Sequence, residues 1–248
     1  MADNANQISE VNMNTGYTDH FSSTSAAEAS PEVRSAFIRK TYIHLAGAIL
    51  AFVVLEYLLI NSPLALPLTR VMFSGRLAWL VVLGAFMGVS YLANWWANSQ
   101  TSSGVQYLGL GLYVIAEAVI FLPLLMIANI EFPGAIFSAG IMTVLLFLTL
   151  TVTVFVTRKD FSFLGPILMI GGFVALGVIV LSAIFGFTLG IVFSGVMIFF
   201  AGAAILYNTS NVLRQYNPNQ HVAASLTLFA SVALLFWYVL RLFMGMRR

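Results

Sequence analysis

Glu117 is an acid in the middle of an apolar run, Val105 to Ala128, and Gln106, Gly109, Tyr113 and Glu117 recur at helical spacing. The spacing predicts a small and polar stripe facing the interior of a helix bundle. An ionised carboxyl at that depth costs roughly 2.5–3.5 kcal/mol on insertion scales. Glu117 is therefore expected to be neutral or paired with a hydroxyl or amide. The structural reading is a glutamic acid hydrogen-bonded to a neighbouring helix. The functional reading, which is preferred, is a group on an ion or proton pathway. Glu56 is the other acid within an apolar run. It lies nearer a helix end, where water or headgroups reach it, so a structural role is expected. The stretch ILYNTSNVLRQY, residues 205–216, turns polar before its apolar run has ended. Asn208 in it either caps a helix terminus or faces the interior as a working group.

Other chemistries are excluded by inventory. The chain has no cysteine, which removes disulfides and thiolate chemistry. The lysines are Lys40 and Lys159, both at helix edges, so a retinal Schiff base has no amine in the last helix. Zinc hydrolysis needs a cluster of ligands, whereas His20 lies in the leader and His44 and His221 sit near helix ends. Ser194-Gly195 has no histidine at comparable depth to activate the serine. No enzyme, cofactor or metal site is expected, and basic nucleic-acid patches are absent. Gly84-xxx-Gly88 is a plausible close-packing site between helices, and Gly186-xxx-Gly190 reads as turn chemistry. Thr143, Thr149, Thr151 and Thr153 are expected to bond back to their own helix carbonyls.

The elements that must hold these residues are membrane helices. With 60% hydrophobic and 8% charged residues and a mean hydropathy of +0.95, the chain has too few polar side chains to cover a soluble surface. A hydrocarbon core of about 30 Å takes about 20 apolar helical residues. Polar interrupters divide the sequence into seven such pieces: 41–60, 77–97, 105–128, 135–156, 163–185, 189–207 and 223–243. The reading is an all-α integral membrane bundle of seven helices, with sequential neighbours antiparallel because the connections are short. Residues 1–33 carry five of the nine acids (Asp3, Glu10, Asp19, Glu28, Glu32) and no apolar run, which predicts a disordered acidic tail without the features of a signal peptide. With seven spans the termini lie on opposite faces. Arg34, Arg39, Lys40, Arg158, Lys159 and Arg214 on the amino-terminal face stand against Arg70, Arg76, Arg241, Arg247 and Arg248 on the other, which favours a cytoplasmic amino terminus.

Several segments taken together resemble a known family. They are Phe37-Ile38-Arg39-Lys40-Thr41-Tyr42-x-His44-Leu45 near the amino terminus, Arg158-Lys159-Asp160-Phe161-Ser162-Phe163-Leu164 before the fifth span, ILYNTSNVL closing the sixth, and Ala224-Ser225-Leu226-Thr227-Leu228-Phe229 opening the seventh. Over roughly residues 34–246 the chain resembles the bacterial branch of the transmembrane Bax-inhibitor-motif family. The resemblance implies a central seventh helix inside a ring of six, a cytoplasmic amino terminus, a bacterial plasma (inner) membrane and a pH-sensitive calcium leak. That leak is attributed to two aspartates, one closing helix six and one in helix seven. Here those positions fall on Asn208 and Ser231, which neither titrate nor offer a divalent cation its negative charge. A hydrogen bond between them would instead hold the two helices closed. The basic cluster that some members carry after helix two is replaced by Asn94-Trp95-Trp96-Ala97-Asn98.

Three functions follow from these readings. One is a cation or calcium leak whose gate has lost its titrating pair, with Glu117 as the remaining acid on the path. Another is a non-conducting regulator or scaffold that binds membrane proteases or other membrane proteins through its tail. The third is a small-solute transporter, with Pro123 and Pro166 bending or beginning helices, although no internal repeat is visible.

Overall fold

A computed structural model of the chain describes residues 25–99 and 102–247. Eight helices follow one another: α1 Pro31–Ile60, α2 Ala65–Met72, α3 Arg76–Ala97, α4 Ser103–Glu131, α5 Ala135–Thr157, α6 Leu164–Phe185, α7 Ile191–Arg214 and α8 His221–Met246. Seven of them, all but α2, are long and apolar enough to cross a membrane. Most of the expected acidic tail, residues 1–24, lies outside the described residues. Its last part is built into the fold. Ala26 is fully buried and donates its N–H to Tyr216 O at 2.8 Å. Ser30 then caps α1 by accepting from Val33 N, with Pro31 in the first turn. The first helix therefore begins ten residues before the 41 expected from hydropathy, because its opening turns carry charges that a hydropathy reading stops at.

α8 is the centre of the bundle. Of the residues in its most apolar stretch 72% are buried, against 6% for α3 and for α6. It packs against α1, α3, α4, α5 and α7. An apolar helix in lipid needs no burial of its own, so small residues and hydrogen bonds supply the contacts. Gly109 on α4 is the closest approach, since a Cβ there would stand 2.5 Å from Ala93 O and 2.6 Å from Ala97 N of α3. Gly84 and Gly88 do not act this way. Nothing lies within 4 Å of a Cβ at either, and both are exposed, because α3 turns Leu83, Phe86 and Asn94 inward instead. Gly186 caps α6 at φ +78°, as its turn reading required. Pro166 falls in the first turn of α6, where its missing N–H is harmless, and Pro123 lies inside α4.

The α5–α6 loop docks on α7. Phe161 N donates to Ser210 Oγ at 3.1 Å, and Arg214 Nη2 donates to Arg158 O. Within the loop, Asp160 accepts from the Ser162 hydroxyl at 2.6 Å and the Ser162 N–H at 2.9 Å. Those two bonds, the hydroxyl first, hold its carboxyl below the ordinary aspartate range. On α5, Thr149 and Thr153 bond back to Leu145 O and Thr149 O, each at 2.8 Å. Thr143 and Thr151 do not: they are buried on the inward face of α5.

Candidate functional site: a membrane cavity closed by Asn208 and Ser231

A cavity of about 730 Å³ runs beside α8, walled by α3, α4 and α6 and touched by Asn208 of α7. Along α8 it extends from Leu226 to Arg241, about 22 Å at 1.5 Å per residue. That is most of a hydrocarbon core. Phe187, Thr188 and Leu189 of the α6–α7 turn line its carboxy-terminal end. Its walls are mainly aromatic and aliphatic, with Trp79, Phe86, Phe121 and Trp237 among them.

Asn208 closes the opposite end. Its Nδ2 donates to Ser231 Oγ at 2.8 Å and lies 3.4 Å from Thr227 O, while the Ser231 hydroxyl donates to that same carbonyl at 2.9 Å. The result is a hydrogen-bonded chain from α7 into α8. Behind it Thr227 Oγ1 donates to Ala224 O at 3.1 Å and lies 3.0 Å from the Tyr216 hydroxyl, which is the donor left to make that contact. Burial pushes the Tyr216 phenol above its ordinary pKa and so keeps the hydroxyl protonated. The alternative in which Asn208 is a terminal cap does not survive. α7 continues to Arg214, and Thr209, Ser210 and Asn211 are buried within it, so the polar run marks an inward face and not an exit from lipid.

Glu117 stands at the middle of α4, is 6% exposed, and lines the cavity. Tyr113, one turn earlier, is buried and lines the same wall. Gln106, at the start of the stripe, donates instead to Ser99 O at 2.8 Å. Glu56 departs from expectation. It is 4% exposed, and among the described residues neither carboxyl oxygen has a hydrogen-bond partner. The cause is register: Phe37, Thr41, Leu45, Ala48, Phe52 and Glu56 form the buried stripe of α1. Of the two acids, only Glu117 lines the cavity. A buried polar group without a partner costs about 1–3 kcal/mol. Glu56→Leu is therefore expected to stabilise the protein by about 2 kcal/mol, visible as a higher melting temperature in detergent. A lower one would mean that the carboxyl holds something the bundle needs.

Two features were not read from the sequence. Arg241 lines the carboxy-terminal end of the cavity, where its Nη2 donates to Leu189 O at 3.1 Å. The available signal was a basic residue inside the last apolar run, well before Met246. The other is a meeting of residues treated separately: His44 and His221 come together, ring centroids 5.0 Å apart, with Tyr107 between them.

Residues 34–248 match the family described as inhibitor of apoptosis-promoting Bax1. The chain belongs to this Bax inhibitor-like family. Similar proteins include Protein LIFEGUARD 4 of Arabidopsis thaliana, 30% identical over 86% of each chain. The Golgi anti-apoptotic protein of vaccinia virus (strain Lister) is 25% identical over 88% of this chain and 89% of its own. An uncharacterized protein of Pseudomonas aeruginosa is 36% identical over 44% of this chain and 50% of its own. Bax inhibitor-like membership agrees with the multi-pass architecture, and it places the Asn208 and Ser231 segments within the matched range.

Proposed function

We propose that this Bax inhibitor-like protein is a slow cation leak, for calcium among other ions, in a cell membrane with its amino-terminal face in the cytoplasm. The observation that carries the reading is the cavity. It contains a membrane-embedded acid, Glu117, and ends at the Asn208–Ser231–Thr227 hydrogen-bond chain. In this reading the chain is the gate. Its members keep their charge state across the physiological range, so opening requires α7 and α8 to part locally, breaking these two hydrogen bonds and loosening the packing around them. Glu117 offers the entering ion the negative charge that hard cations bind. Arg241 at the other end opposes cation entry, which suits a leak in place of a fast channel.

The test is calcium flux into liposomes containing the purified protein. Wild type is expected to leak between pH 6 and 8. Glu117→Gln is expected to lower the flux roughly tenfold, the effect of about 1.4 kcal/mol on a barrier. Flux unchanged by that substitution would remove Glu117 from the path, and no flux at all from the wild type would overturn the leak itself.

A further inference from the structure

We propose that His44 of α1 and His221 of α8, with Tyr107 of α4 between them, form a binding site for a divalent transition-metal ion of the copper or zinc kind on the amino-terminal face. The site lies apart from the cavity and does not depend on the leak reading. Tyr107 Oη lies 3.0 Å from His44 Nε2 and 3.4 Å from His221 Nε2. The two imidazole nitrogens therefore converge on one oxygen from two different helices.

The tautomer of His44 is fixed by its other nitrogen. Nδ1 stands 2.7 Å from Lys40 O, and a carbonyl only accepts, so the neutral ring carries its hydrogen on Nδ1. Nε2 is then a bare lone pair aimed at Tyr107. A backbone carbonyl on the remote nitrogen is how proteins orient metal-bound imidazoles and strengthen them as ligands. His221 Nε2 becomes a second ligand when its ring places the hydrogen on Nδ1. Metal–nitrogen bonds are about 2.0–2.1 Å, so on an ion placed where the phenol oxygen now sits the His44 ring closes by about 1 Å and the His221 ring by about 1.3 Å. Tyr107 is 43% exposed and has room to swing outward or to stay as an oxygen ligand.

Charge and ligand number set the strength. Lys40, one turn before His44 on α1, places a cation near the site that works against a second positive charge. Among the described residues no three His, Cys, Asp or Glu gather. Two nitrogens with water completing the shell make an exchangeable site, not a closed structural one. Imidazole ligands favour copper over zinc and exclude calcium and magnesium. An ion held there would tie α1 to the central helix α8 beside a cross-helix contact already present, the Ser225 hydroxyl 2.8 Å from Thr41 O.

The experiment is a cupric chloride titration of the full-length protein in detergent, read by electron paramagnetic resonance and by melting temperature. His20→Ala serves as the background, so that the remaining histidine of the leader does not contribute. The expected result is a spectrum with two imidazole nitrogens and a raised melting temperature. Adding His44→Ala or His221→Ala should weaken binding at least tenfold and remove the melting shift. Copper bound equally well by those variants, or a background spectrum with fewer than two imidazole nitrogens, would overturn the site. The spectrum of the background protein decides the matter even where a variant fails to fold.

Discussion

Gly109→Ala is expected to melt far below the wild type, whereas Gly111→Ala should not. A Cβ at position 109 would stand 2.5 Å from Ala93 O, 2.6 Å from Ala97 N and 3.0 Å from Trp96 Cβ. Two of those atoms are backbone, so no rotamer change on α3 makes room, and the two helices must part. Overpacking of a tight core typically costs about 1–3 kcal/mol, and the rigidity of the obstacle puts this change at about 3 kcal/mol. At Gly111 nothing lies within 4 Å of the added atom, and alanine is the better helix former. Function should follow stability, because α3 and α4 are two walls of the cavity. The measurement is thermal unfolding of both purified variants in one detergent. Equal melting temperatures would mean that the α3–α4 contact is looser than these distances.

The same glycine shows where the sequence was informative. Gln106, Gly109, Tyr113 and Glu117 could be placed on one face of a helix from spacing alone, but not which helix they would meet. In lipid the outer face of a bundle is as apolar as its inner one, so the pattern that marks burial in a soluble helix is faint. Span positions were easy to read where a run ends in Pro, Gly or charge: the fifth helix, expected at 135–156, is Ala135–Thr157. They were hard to read where polar residues face inward. The expected end of α7 at 207 rests on Asn208, Thr209, Ser210 and Asn211 resembling a water-facing end, yet Asn208 bonds to α8, Ser210 bonds to the α5–α6 loop, and Thr209 and Asn211 are buried. α2 lies between the expected spans 41–60 and 77–97, and at eight residues it is too short to show as a membrane-crossing run.

Glu56 is a different kind of miss. Its buried stripe was written in the sequence at steps of three and four from Phe37 onward, but depth along the helix was given more weight than the face. His44, Tyr107 and His221 were beyond reach in principle. Residues 63 and 114 positions apart meet only once α1, α4 and α8 have set their mutual registers, and no local pattern encodes that.

The largest functional change is expected from the double variant Asn208→Asp, Ser231→Asp. In the wild type these side chains sit at one hydrogen-bond distance, 2.8 Å, and their bond holds α7 to α8 with no proton to gain or lose. Two carboxyls at that separation titrate as a pair, because the first ionised group disfavours ionisation of the second. The form with one shared proton keeps a short, charge-assisted hydrogen bond and should conduct least. Loss of the shared proton leaves two like charges facing each other beside apolar walls, where water screens them poorly. The helices then separate and the cavity connects through. Calcium flux in liposomes should accordingly vary more steeply with pH in the double variant than in the wild type, with Asn208→Asp alone close to the wild type because Ser231 remains a willing donor to the new carboxylate. A double variant whose flux ignores pH would show that the Asn208–Ser231 contact is not the closure of the pathway. A wild type that varies with pH as strongly would move the sensor elsewhere, and Glu117, the acid lining the cavity, would be the next residue to change.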